Sequence, residues 1–392
     1  MEDQCLDESS GFMNDIEKIL IIALLVLIVI MVWLCSKLYK KKKRKKLLLD
    51  LDMGFEEIPD YYDFEDKVIR FNYEQLDDRK KQVYDIMLEG ILKCETIIDV
   101  GSCDQNTADI VFRSILSDHP ELFWLSGAYT FYTTDESNKI KPVTLIKFHS
   151  VERYKNKLNK TIDAIIVSTA MAEDTYERIV MLHDYIVDHS KYDIKAKKKY
   201  SSNPFASTSY GCLVENAAIC SGYSKGFQLL LNRIGVSCGY ISGVCKDCER
   251  HAWNYVQFGK DFYYVDVTFD DPLQNKSQYD NKSHRYFFVT TDDILKSREI
   301  SNDNGFVPKC RSIKYNYFVY TGRYFKRYSI EELKHLIEVN KDNQIEFRFA
   351  TKEVYDEAVY GLFSNKECYD IIRGRKITYF KDDKFFVIKL CY

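Results

Sequence analysis

From Ile19 to Ser36 the chain runs through eighteen positions without a charge, ILIIALLVLIVIMVWLCS. A helix rising about 1.5 Å per residue would carry this run across roughly 27 Å, close to the hydrocarbon thickness of a bilayer. The pattern predicts a transmembrane helix over 19–36, with Lys18 and Lys37 at its ends and Trp33 at an interface. A cleaved signal peptide fits poorly. The tail before it (1–18) is acidic, with Glu2, Asp3, Asp7, Glu8, Asp15 and Glu17, and no small-x-small cleavage site follows. YKKKKRKK comes directly after. The positive-inside rule then puts the N-terminus outside and the large domain in the cytoplasm, as a single-pass membrane protein. The basic cluster would also meet anionic membrane lipids.

Residues 37–75 read as a linker, basic and then acidic. Beyond it the spacing of apolar residues turns helical. Val83, Ile86, Met87 and Ile91 mark a helix over 79–92, and a second covers 107–116, stopped near Pro120. A short strand or helix end falls at 97–100. A hairpin is expected from 129–133 and 142–148 around DESNKIK. Helices follow at 151–170 and 173–190, the second with Ile179, Leu182, Ile186 and His189 along one face. Residues 76–195 thus form a mainly helical subdomain.

The polar and basic stretch 191–213 reads as a long loop. In the next helix, 216–234, Tyr223, Phe227, Leu230, Leu231 and Ile234 repeat at helical spacing, and Gly235 is a natural stop. Strands follow at 236–244, 251–258 and 262–268. A helix ahead of an antiparallel sheet defines an α+β core over 196–312. The tail, 313–392, is a small α+β appendage. A strand is expected at 315–320, a helix opened by the capping box Ser329-Ile-Glu-Glu332, a strand at 345–349, a helix at 352–363, and a hairpin from 376–380 and 385–390.

Composition changes this picture little. An apolar fraction of 46%, with 30 Tyr and 24 Phe, supports a large aromatic core. A net charge of −3 excludes the basic surplus of a nucleic-acid binder. Twelve cysteines at scattered spacings agree with a reducing compartment.

Candidate chemistry sits in the core. Cys220 lies near the start of its helix, where unpaired N–H groups and the helix dipole favour thiolate. Gly222 and Gly226 leave a bare strip beside it, open to another element or a substrate backbone. In HAWNYVQF, alternation puts His251, Trp253 and Tyr255 on one face of a strand and Ala252, Asn254 and Val256 on the other. A two-residue turn at Gly259-Lys260 pairs Phe258 with Asp261. His251 then falls opposite Thr268, and Asp266 becomes its diagonal neighbour on the same face. Cys220, His251 and Asp266 would form a triad of nucleophile, base and orienting acid, with the Cys220 N–H in an oxyanion hole.

The run AAICSGYSKGFQLLLNRIGV, followed by HAWNYVQFGKDFYYVDVTFDDP, resembles the transglutaminase-like superfamily, in particular bacterial members of unassigned substrate. The match spans about 205–295, and HDYIVDHSKYD resembles the helix such proteins carry before the cysteine. The resemblance implies a papain-like core, the Cys220-His251-Asp266 triad, and thioester chemistry on peptide or protein amides without a cofactor. Peptidase or amidase activity is the favoured expectation. Cross-linking or deamidation of glutamine, or a catalytically idle peptide-binding module using the same cleft, stay open beside it. The calcium loops and flanking β-domains of eukaryotic cross-linking enzymes are not evident.

Rival roles exist for several residues. Cys245 and Cys248, with Cys238 and His251, have the residue types of a tetrahedral zinc site, but that would consume the base, so no metal is expected. Trp253 is expected to wall the substrate site, and Tyr210 to offer a second oxyanion donor. Asp270 and Asp271 fit a turn before Pro272.

Overall fold

The computed structural model describes residues 68–198, 203–246, 249–271, 282–340, 342–372 and 376–392. The expected membrane helix, its basic cluster and Cys248 lie outside these residues. Among the described residues no helix is long and apolar enough to cross a membrane. The described residues other than Val319–Gly322 fall into one compact unit.

The first elements are helix α1 (Asp78–Leu92), strand β1 (Ile98–Gly101), helix α2 (Gln105–Asp118), strands β2 (Leu125–Thr133) and β3 (Asn138–Thr144), and helices α3 (Phe148–Ser168) and α4 (Thr175–His189). Three of these helices start where an aspartate accepts a backbone N–H of the first turn: Asp77, Asp104 and Asp174. Strands β1, β3 and β2 form a three-stranded antiparallel sheet within the helical region. The second hairpin strand ends before 148, because Phe148 already begins α3. On α4 the buried histidine is His183; His189 is exposed and stacks on Tyr185.

Residues 191–213 hold more structure than a loop. Strand β4 (Lys191–Tyr192) pairs in parallel with β5 (Ala217–Ala218), and Ser209–Leu213 is a buried helical turn capped by Thr208. Helix α5 (Cys220–Arg233) therefore starts at Cys220 rather than at 216. It is buried on nearly every side, so it is the central helix of the core. Its glycine strip is filled by the chain itself. A Cβ on Gly222 would overlap the Ala206 carbonyl, and one on Gly226 would stand 2.7 Å from Cys212 Sγ. The strip serves packing, and no substrate can enter it.

Behind α5 lies a four-stranded antiparallel sheet of β6 (Cys238–Cys245), β7 (Arg250–Phe258), β8 (Asp261–Val265) and β9 (Arg298–Ile300), in the order β8-β7-β6-β9. The hairpin register has Phe258 opposite Asp261 as expected, around Gly259 at φ +62°. Strand β8 stops at Val265, three residues early. Asp266 leaves the ladder, accepts the Phe269 N–H at 3.1 Å and caps the helical turn α6 (Val267–Asp270). Thr268 therefore never pairs with His251.

Gly243, on β6, lies opposite His251 on β7 and opposite Ile300 on β9. A Cβ there would overlap the Glu299 carbonyl oxygen and come within 2.5 Å of Trp253 Cη2. Because one obstacle is backbone, β9 would have to move. Gly243→Ala is expected to destabilise the fold by about 2–3 kcal/mol, read as a lower urea midpoint at unchanged slope.

The tail carries strand β10 (Tyr324–Phe325), helix α7 (Ile330–Val339), strand β11 (Gln344–Phe349), helix α8 (Lys352–Val359), and strands β12 (Thr378–Asp382) and β13 (Val387–Cys391). Its sheet runs β10-β11-β13-β12, with β10 parallel to β11 and the other pairs antiparallel. The strand expected at 315–320 is instead a short helix, Tyr317–Tyr320. Its aromatic alternation misled, because Tyr315 packs on Phe258 while Tyr317 stacks on His284. Phe385 and Val387 join the core cluster of Ile241 and Trp253, so the tail and the central sheet share apolar packing.

Candidate active site

Cys220 is the first residue of α5, and its N-cap Ile219 supplies no side-chain hydrogen bond. The free N–H groups of the first turn thus face the thiol end of the helix. His251 is the second residue of β7, and Asp266 follows the last residue of β8. The Cys220 thiol is coupled electrostatically to the His251 side chain and, more weakly, to the Ala252 and Ser221 N–H groups. His251 Nε2 stands 2.7 Å from Asp266 Oδ2. With Nε2 given to the carboxylate, Nδ1 is the nitrogen left for the thiol. The ring is held edge-on by Phe269 at 4.7 Å and parallel to Trp253 at 5.9 Å.

Arg298, on β9, reaches the same Asp266 oxygen with Nη1. Asp266 and Arg298 have no exposed surface. The guanidinium lies 5.2, 4.5 and 4.6 Å from the ring centres of Trp253, Phe269 and Tyr286. Aromatic faces of this kind replace part of the lost hydration of a buried cation. Burial draws Arg298 down to about 10, which leaves it charged at neutral pH. Asp266 is therefore pinned on three sides: by His251 and Arg298 at Oδ2 and by the Phe269 N–H at Oδ1.

Electrostatics favour a neutral base. Burial holds His251 below 6.5, the Cys220 contact works against this, and the charges of Arg298 and Lys197 add to it. Burial also resists charge on Cys220, but the hydrogen bond and charge of His251 outweigh it and leave the thiol below 9.0. Iodoacetamide is expected to label Cys220 first. Its rate should rise with pH to a midpoint below 9.0, because the thiolate is the reactive form. Cys212, which burial pushes up to about 12, should stay unlabelled. Timed quenching and peptide mass mapping would read both.

Two expected contributors stand elsewhere. Trp253 has no exposed surface, so it backs His251 and Arg298 rather than touching substrate. Tyr210 is buried among Phe123, Tyr154 and Phe205, with centroids 5.0, 5.3 and 4.7 Å away, so it is a packing residue. The tyrosine whose hydroxyl is electrostatically coupled to Cys220 is Tyr192, half-buried on β4. Cys238 and Cys245 occupy opposite ends of β6, roughly 23 Å apart at the rise of a strand. They cannot share a zinc ion. Asn254 donates to the carbonyls of Ser224 and Gly239 and ties the sheet to α5. Asp270 is no simple turn residue: it is buried, accepts the Tyr286 N–H and faces His183.

A thiol at a helix start, a histidine on the second strand that follows and a carboxylate just past the third bring together a thiol, an imidazole and a carboxylate, the residue types of a thiol-based triad. Residues 163–267, which hold all three, match the transglutaminase-like superfamily core, and this stretch of the chain is a transglutaminase-like domain. No curated protein matches the chain. Solved structures similar to it include a TGase (12% identity, TM-score 0.28, covering 54% of this chain and 53% of that one). A candidate cysteine protease from Cytophaga hutchinsonii is also similar (12% identity, TM-score 0.25, 37% of this chain and 63% of that one). A candidate protease from Parabacteroides distasonis follows (7% identity, TM-score 0.22, 35% of each chain). The chain thus spans less than two thirds of each of these proteins.

Proposed function

We propose that this protein is a cysteine-dependent enzyme that acts on peptide or protein amide bonds through a thioester on Cys220. The observation that carries this reading is His251, which is bound through Nε2 to Asp266 at 2.7 Å and lowers the pKa of the Cys220 thiol at the start of α5. His251 takes the thiol proton as Sγ attacks the carbonyl carbon. The Cys220 N–H and the Tyr192 hydroxyl are the donors this reading assigns to the developing oxyanion. Its collapse breaks the C–N bond, and His251 returns the proton to the leaving amine. Water then gives a proton to His251, attacks the thioester and frees Cys220. These steps balance with substrate and water alone. The superfamily match supports acyl chemistry of this kind.

Hydrolysis is the favoured outcome. The test is peptide cleavage against incorporation of a labelled amine into glutamine-containing protein, with Cys220→Ala as control. Cleavage that vanishes in the variant supports the reading. Amine incorporation that vanishes instead would make the enzyme a cross-linker. Neither activity, together with a Cys220 no more reactive than the other cysteines, would leave a peptide-binding module.

The uncharged run 19–36 and the basic cluster behind it support a tether that holds this domain at the inner face of a membrane. Protease added to intact cells should then spare the domain; its digestion would place the domain outside.

A further inference from the structure

A second cluster of reactive side chains lies outside the triad. His183 and Asp184 come from α4, and His284 from the segment after the triad's third strand. His183 is wholly buried and packs near Phe227 of the cysteine helix, with ring centres 6.3 Å apart. We propose that His183, Asp184 and His284 bind a divalent transition-metal ion of the Zn2+ type, through His183 Nδ1, His284 Nε2 and Asp184 Oδ1.

Three observations carry this. The first is convergence. One ligand atom from each residue lies within 4.8 Å of the others. His183 Nδ1 and His284 Nε2 are each 2.9 Å from Asp184 Oδ1. Neighbouring ligands around Zn2+, bound at about 2.0–2.1 Å, stand about 3.3 Å apart, so a small opening of the cluster admits the ion.

The second is what stands behind the rings. His183 Nε2 faces Asp270 Oδ2 at 3.3 Å, and His284 Nδ1 faces Glu346 Oε2 at 3.6 Å. A carboxylate on the far nitrogen is the support that orients a metal-binding imidazole and raises its basicity. Both carboxylates are themselves held, Asp270 by the Tyr286 N–H at 3.1 Å and Glu346 by the His284 N–H at 3.0 Å. The rings are fixed as well: His284 stacks on Tyr317 at 3.8 Å and 7°, and His183 meets Phe287 edge-on at 5.1 Å.

The third is access. Asp184, His284 and Glu346 line a polar cavity of about 580 Å³. The ion can enter there, and a water can complete its coordination. Lys282 Nζ, 3.1 Å from Asp184 Oδ2, occupies the other carboxylate oxygen and leaves Oδ1 to the metal. The donor set of two imidazoles and one carboxylate suits Zn2+ or Co2+ better than Ca2+ or Mg2+. A bound ion would join α4 to the chain segment just beyond Asp266, and so brace the triad from outside it.

The test uses the untagged full chain, freed of metal by chelator and titrated with Co2+. The expected result is one equivalent bound, with the visible bands of a low-coordinate Co2+ centre, no thiolate-to-cobalt band in the near ultraviolet, and displacement by Zn2+. Cys220→Ala should bind equally well. Asp184→Asn and His284→Gln should each weaken Zn2+ binding more than about tenfold, and Glu346→Gln by about 10- to 100-fold, with unchanged circular dichroism. If His284→Gln fails to fold, the more exposed Asp184→Asn decides. No stoichiometric binding to the wild-type chain would overturn the proposal. So would a thiolate band, which would assign the metal to cysteines, or full binding by Asp184→Asn.

Discussion

Asp266→Asn is expected to lower turnover by about four orders of magnitude while the fold persists. The carboxylate accepts hydrogen bonds from His251 Nε2 and Arg298 Nη1 at one oxygen and from the Phe269 N–H at the other. An amide has one oxygen and one NH2. If the oxygen keeps the Phe269 cap, the NH2 group faces two donors. The imidazole must then turn or present an unprotonated Nε2, which puts its proton on Nδ1, facing the thiol. Cys220 loses its base in either case. The check is kcat/KM together with iodoacetamide labelling of Cys220. Both should collapse, and the urea midpoint should also fall, because the buried Arg298 loses its counter-charge, while circular dichroism stays that of the folded protein. Turnover within tenfold of wild type would show that Asp266 does not set the tautomer.

Arg298→Met is expected to cost about 3–5 kcal/mol of stability, more than any surface change in the chain. It removes the cation from a carboxylate that has no exposed surface and cannot regain water. The long apolar replacement keeps most of the packing against Trp253, Phe269 and Tyr286. The loss therefore reports the charge and not a cavity. A second variant separates the two. Asp266→Leu with Arg298→Met removes both charges and should recover most of the lost stability while remaining inactive. Urea denaturation of wild type, Asp266→Leu, Arg298→Met and the double variant forms the cycle. A double variant no more stable than Arg298→Met would mean that the site is held by packing alone.

The difference between these two residues shows what could be read in advance. Asp266 was legible because strands alternate. Once Gly259-Lys260 closes a two-residue turn, parity alone brings Asp266 to the side of His251, and Phe258 does pair with Asp261. Cys220 was legible from its place ahead of an apolar helical repeat. Arg298 was not. It stands 32 residues beyond Asp266, on a three-residue strand that shows no period, and only the pairing of β9 with β6 delivers it. Tyr192 was hidden for a similar reason. It belongs to a two-residue strand inside a polar stretch that reads as loop. Tyr210 misled because a loop tyrosine near the cysteine helix looks available, whereas the fold packs it into an aromatic cluster. The early end of β8 had a local signal in Asp266 itself, since aspartate is a strong helix N-cap. Alternation along VDVT masked it.

One carboxylate thus does two jobs: Asp266 holds His251 and also starts the helical turn that follows it. The His251 contact and that turn cannot be lost separately. The Phe269 amide proton is bound to Asp266 Oδ1, so its exchange with solvent deuterium follows each opening of the triad. A backbone amide outside the cluster therefore reports how often Cys220, His251 and Asp266 stand assembled.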